Sequence, residues 1–166
     1  IMIFPLLHFA EGIPGYSELL TERKDGEIKR SLIIVFFMFA LVISLLWGWA
    51  QDRYLVLAAV FAWGMGDATA ALIGKRFGRH RISGRFADGQ KSLEGTMAMF
   101  VVSFLSVLLI LWLYVPMEGS GYVLAAAATA LVTALVELIS RNGMDTLTCP
   151  LAAAAVLIPL VSLWRI

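Results

Sequence analysis

The chain has 166 residues, 60% of them apolar and 15% charged, and a mean hydropathy of +0.86. Soluble domains average about 45–50% apolar and about 25% charged residues, so a disordered chain is excluded, as are collagen-like and disulfide-stapled classes, given 14 unperiodic glycines and one cysteine. The net charge of +1 hides an uneven distribution, because 11 of the 13 Lys and Arg residues fall in Glu22–Arg30, in Lys75–Lys91 and at Arg141.

This composition predicts an all-α fold, a polytopic transmembrane helical bundle formed by residues 1–166 as one integral-membrane domain. Residues Ile1–Ala10 are apolar but lack the basic region and small-residue cleavage site of a signal peptide. The segment before Glu22 is interrupted by Pro5, Glu11, Gly12, Pro14 and Gly15 and reads as a partial N-terminal helix; with Ile1 as first residue, an N-terminal truncation is expected. A spanning helix needs roughly 17–25 mostly apolar residues. Five stretches qualify: Ser31–Ala50, Tyr54–Gly74, Leu93–Val115, Gly121–Ile139 and Leu147–Trp164. Their apolar runs are continuous rather than alternating, which excludes a transmembrane barrel.

The connections sort by charge. Glu22–Arg30, Lys75–Lys91 and Ser140–Thr146 fall on one side of the membrane; Gln51–Arg53 and Pro116–Ser120 fall on the other and carry only Arg53. The positive-inside rule makes the basic side cytoplasmic, with Arg165 at the C-terminus a minor dissent. Inside the spans, Ala125–Ala128 and Ala152–Ala155 are small-residue runs that let helix backbones approach closely.

Ionisable residues within spans are costly and point to function. Asp67 lies seven residues before the basic loop, roughly 10–12 Å below that end of its helix. Gly64, Asp67, Ala71 and Gly74 recur at helical spacing and give a small face around the carboxylate, with room for a ligand or a close helix. Glu137 sits near the same end of its span, with Arg141 four residues on as a local ion-pair partner. Asn142-Gly143 signals a turn, which returns Asp145 to that membrane face as a metal ligand or as a helix cap, with Pro150 in the first turns. The Gly-rich basic loop, residues 75–91, holds six cations and one acid. It suits a solvated positive-inside loop or, with Gly74, Gly78, Gly84 and Gly89 allowing close backbone approach, a phosphate site. Ser92 is a helix cap and Glu94 complements the positive helix end, or the same terminus with Lys91 holds phosphate.

No Walker-type loop, nucleophile elbow, Cys-x-x-Cys or His-Glu-x-x-His occurs, and His8 and His80 are not spaced with acids as a metal site. Nucleic-acid binding is not expected from so short a basic loop. Three acids on one membrane face can hold Mg²⁺, which prefers carboxylates plus substrate phosphates, and cations can hold a polyphosphate. The chemistry is that of a membrane enzyme handling a nucleotide and a lipid.

The run Trp63-Gly64-Met65-Gly66-Asp67-Ala68-Thr69-Ala70-Ala71-Leu72-Ile73-Gly74-Lys75-Arg76-Phe77-Gly78-Arg79-His80 resembles the polyprenol kinase family, which includes dolichol, phytol and CTP-dependent diacylglycerol kinases. Lys91-Ser92-Leu93-Glu94-Gly95-Thr96 is similar to its K-S-x-x-G-S segment, and Glu137 followed by Asp145-Thr146-Leu147-Thr148-Cys149-Pro150-Leu151 to its E … D-N-x-x-V-P-L ending. Glu22–Glu27 resembles the charged loop that precedes a span in prokaryotic members. Thr146 stands where the family often has Asn, and the family's Arg-Lys-x-x-His segment of an earlier helix is not found, in keeping with the expected truncation.

The resemblance implies a CTP-dependent kinase that transfers the γ-phosphoryl group to an isoprenoid alcohol (phytol, dolichol or polyprenol) or to diacylglycerol. It implies a site in which Asp67, Glu137 and Asp145 hold Mg²⁺, Lys75, Arg76 and Lys91 neutralise the triphosphate, and Gly74, Gly78, Ser92 and Gly95 line the nucleotide. Asp67, Lys75, Lys91 and Glu137 are the expected catalytic residues. The alternatives are CTP:phosphatidate cytidylyltransferase-type transfer, a transporter, for which no inverted-repeat pair is visible, and a non-catalytic membrane subunit.

Overall fold

The computed structural model describes residues 27–84, 87–140 and 143–166. Packing divides the chain into two compact units, Ile1–Ile33 and Ile34–Ile166. Of the first, residues 27–33 are described, as the opening turns of a helix; the bundle and its cleft belong to the second. The partial helix expected before Glu22 lies outside the described residues.

The fold is a polytopic helical bundle. Helix α1 (Glu27–Val42) continues as a wider π-helical segment, Ile43–Trp49. It is followed by α2 (Arg53–Phe77), a hairpin of β1 (Arg81–Gly84) and β2 (Ala87–Ser92), α3 (Leu93–Tyr114), α4 (Gly119–Ile139) and α5 (Asp145–Trp164). Among the described residues, five helices are long and apolar enough to cross a membrane. Their bounds fall within a few residues of the five expected spans, because uninterrupted apolar length is what a bilayer demands.

Helix α2 packs against α3 and α5, and α4 lies against both α3 and α5. The faces that meet are small. Ala58, Ala59 and Ala62 on α2, Ala125 and Ala126 on α4, and Ala153 and Ala154 on α5 are buried, as expected for the two alanine runs. At Gly66 an added Cβ would collide with the Ser103 hydroxyl, which donates to the Ala62 carbonyl at 2.6 Å and ties α3 to α2. Close backbone approach and interhelical hydrogen bonds replace the hydrophobic drive that is absent between helices in lipid. Large apolar side chains such as Phe37, Leu72, Leu105, Leu109 and Leu131 point outward, where acyl chains solvate them.

The end of the bundle opposite the basic loop is tied together. Asp52 caps α2 by accepting from the Tyr54 amide at 2.8 Å. Its other carboxylate oxygen lies 3.1 Å from Arg165 beyond α5. The Arg165 cation is thereby paired within its own end of the bundle. Trp47, Trp49, Trp112 and Tyr114 are exposed near this end, the placement of an interfacial aromatic belt.

The basic loop contains an element not expected from the sequence. β1 and β2 pair antiparallel with Arg81 opposite Ser92, and the Leu93 amide extends the ladder by donating to the His80 carbonyl at 3.0 Å. The strands are polar and carry no apolar alternation, so their pairing leaves no sequence signature.

Candidate active site

Three helices bring carboxylates to the hairpin end of the bundle. Asp67 comes from α2, Glu137 from the last turn of α4, and Asp145 from the first residue of α5. One oxygen from each lies within 4.8 Å of the others. Glu137 is buried, whereas Asp67 and Asp145 are partly exposed. Like charges so close need a cation.

Lys91 on β2 supplies one. Its ammonium lies 2.9 Å from Glu137 Oε1 and 3.8 Å from Asp145 Oδ2, and it also donates to the Glu137 main-chain carbonyl. That carbonyl is at the C-terminal end of α4, where the helix dipole is negative. The ion pair expected between Glu137 and Arg141 involves a residue outside the described set; among the described residues Glu137 pairs with Lys91. Asp145 is not the cap of α5. Met144 takes that position, and Asp145 Oδ1 accepts from the Thr146 amide at 2.9 Å. Of the expected Asn142-Gly143 turn, Gly143 is described, at φ +73°, and Asn142 lies outside the described residues.

A cleft of about 260 Å³ opens over these acids. Asp67, Glu137, Asp145, Lys75, Lys91, Gly74, Ser92 and Gly95 all line it. Ala70, Ala71, Thr96 and Arg81 complete the wall. The sequence does not single out Arg81, because nothing in a run of loop cations tells which one a hairpin will turn inward. Two expected residues fall outside the cleft lining. Arg76 is exposed, its guanidinium 5.4 Å from the Phe77 ring centre. Gly78 ends α2 with its amide donating to the Gly74 carbonyl at 3.1 Å.

Gly74, Gly78 and Gly95 make room for a neighbouring side chain. A Cβ at Gly74, Gly78 or Gly95 would stand 3.2, 2.9 or 3.2 Å from the Ser92 hydroxyl. The space they leave is filled by Ser92, which caps α3 by accepting from the Gly95 amide at 3.2 Å. A Cβ at Gly95 would also meet the Ala70 carbonyl at 2.9 Å, so α2 and α3 cross here almost backbone to backbone. The small face on α2 is rotated accordingly. Gly66 and Ala70 are buried against α3, whereas Ala71 is exposed and Gly64 borders open space. His80, which its sequence spacing does not place with any acid, packs its Nδ1 2.7 Å from Glu94 Oε1 and so closes the hairpin base onto α3.

Comparison with known proteins bears on this arrangement. The chain is 41% identical over 98 residues to a phytol kinase of Synechocystis sp., a match covering 58% of this chain and 40% of that protein. It is 50% identical over 48 residues to the dolichol kinase of Saccharomyces cerevisiae, covering 29% of this chain and 8% of that protein. It is 32% identical over 95 residues to a dolichol kinase of Schizosaccharomyces pombe, covering 53% and 18%. The matched stretches are similar to phytol and dolichol kinases. The chain spans less than half the length of these relatives. No family model matches it, and no solved structure does.

The donor set fits a hard divalent cation. All three groups are carboxylates from separate helices, and a cationic ammonium already stands among them. Oxygen ligands in this number, with room left for water or phosphate, suit Mg²⁺.

Proposed function

We propose that this chain carries the catalytic site of a CTP-dependent lipid kinase that phosphorylates an isoprenoid alcohol or diacylglycerol. The observation that carries the reading is the cleft itself, where Asp67, Glu137 and Asp145 converge with Lys75, Arg81 and Lys91 at one end of a membrane-spanning bundle. Similarity to phytol and dolichol kinases supports a lipid alcohol as acceptor.

In this reading Asp67, with Glu137 or Asp145, would hold Mg²⁺, which would supply positive charge to the phosphates when bound. Lys75, Arg81 and Lys91 neutralise the remaining triphosphate charge, so that catalysis consists largely of positioning. The lipid reaches the cleft along α2, where Gly64 borders open space and Ala71 is exposed. A cleft carboxylate orients the lipid hydroxyl and accepts its proton. The hydroxyl oxygen bonds to the γ-phosphorus, the bond from that phosphorus to the bridging oxygen breaks, and CDP leaves. The site faces the cytoplasm, in keeping with the positive-inside rule.

The test uses CTP labelled in the α- or γ-phosphate, with phytol, dolichol and diacylglycerol supplied in mixed micelles. Label from γ-labelled CTP is expected in the lipid product, and none from the α position. Lipid labelled from the α position overturns the kinase reading in favour of cytidylyl transfer.

A further inference from the structure

We propose that Lys91 is a built-in competitor for the divalent cation. Its ammonium fills the carboxylate cluster while no polyphosphate is bound, and moves onto the phosphates when metal and nucleotide arrive together. This rests on the metal reading of the cleft and adds a control on when that metal binds.

The geometry is that of a cation site already served. The Lys91 ammonium has three negative neighbours: Glu137 Oε1 at 2.9 Å, Asp145 Oδ2 at 3.8 Å and the Glu137 carbonyl. Its side chain is 18% exposed, so water screens these contacts only weakly. A metal held by Glu137 Oε1, which lies 2.9 Å from that ammonium, would stand within about 5 Å of it, given metal–oxygen distances of about 2 Å. At such separation two cations in a half-buried site repel strongly. The backbone of Lys91 is fixed, because β2 ends on the α3 cap at the next residue, Ser92. Its four-carbon stem is flexible, so the charge can leave without the strand moving. A polyphosphate in the cleft beside Lys75 and Arg81 offers the ammonium a second set of anionic oxygens. The acids are then released to the metal at the moment the phosphates need it.

Removing the charge at Lys91 should therefore tighten metal binding although it removes a catalytic group. Mn²⁺ serves as the probe, with free Mn²⁺ read by electron paramagnetic resonance during titration of the purified chain in nanodiscs without nucleotide. Lys91→Met is expected to bind Mn²⁺ about tenfold or more tightly than the unaltered protein. Lys91→Arg, which keeps the charge, is expected to stay near the unaltered value. Adding Asp67→Asn to Lys91→Met is expected to cancel the gain. Lys91→Gln, which keeps a donor for the Glu137 carbonyl, repeats the measurement should the methionine variant fold poorly. If both neutral variants bind Mn²⁺ no better than the unaltered protein while Asp67→Asn weakens binding, the competitor role is overturned and the metal site stands. If the unaltered and neutral variants all bind no Mn²⁺ at millimolar concentration, the metal reading fails and this proposal with it.

Discussion

Asp67 shows how far one residue can be read. An acid within an apolar run of helix length has no cheap structural use, so its position alone marks a site. The structure places it where that expectation leads, in a cleft with two further carboxylates. The sequence marks Lys91 as a phosphate-binding and catalytic candidate but not as the partner of Glu137, because the register that seats it there is set by a hairpin pairing without apolar pattern. Arg81 is hidden for the same reason. Asp67→Asn keeps the shape of the side chain and removes one of three crowded negative charges. Phosphoryl transfer to lipid is expected to fall by about 100-fold or more. The thermal midpoint of the protein in nanodiscs is expected to hold or rise, since like-charge repulsion is relieved. Parallel measurement of transfer rate and melting checks both, and retained transfer removes Asp67 from the mechanism.

At the scale of elements, the spans are legible in the sequence and their contacts are not. Apolar length alone locates five helices to within a few residues. Which small residues face a neighbour depends on helix rotation, and Gly66 and Ala70 meet α3 where Gly64 and Ala71 also fit a small face by spacing. By composition the glycines around the basic loop suit a phosphate site, and Gly74, Gly78 and Gly95 also make room for the Ser92 cap. This crossing sets the distance from α2, which carries Asp67, to the β2–α3 junction, which carries Lys91. Gly95→Ala places a methyl 2.9 Å from the Ala70 carbonyl, and that backbone atom cannot rotate away. The α2–α3 crossing must open, at a cost of about 1–3 kcal/mol. A lower melting temperature is expected, together with a transfer rate reduced out of proportion to the fraction unfolded. Normal melting and normal transfer in Gly95→Ala would show that the crossing is not tight.

For the whole molecule, polarity runs along the bundle. One end holds the hairpin, the cleft and the cations Lys75, Arg76, Arg79, Arg81 and Lys91. The other holds Arg53, pairs Arg165 with the buried Asp52 and ends in exposed tryptophans. Counted as cations alone, the cleft end still exceeds the other end, which has Arg53 and Arg165. Loop cations resist translocation, so the cleft end is expected to face the cytoplasm, where nucleotide is supplied. The protein reports this readily, because its single cysteine, Cys149, is fully buried. Arg79→Cys and Glu118→Cys place new thiols at exposed positions of opposite ends. In intact cells a membrane-impermeant maleimide is expected to label Glu118→Cys and to spare Arg79→Cys until the membrane is opened. The reverse pattern would put the cleft on the outer face, away from cytoplasmic CTP, and a nucleotide-dependent role would then fail on supply whatever the geometry of the carboxylates.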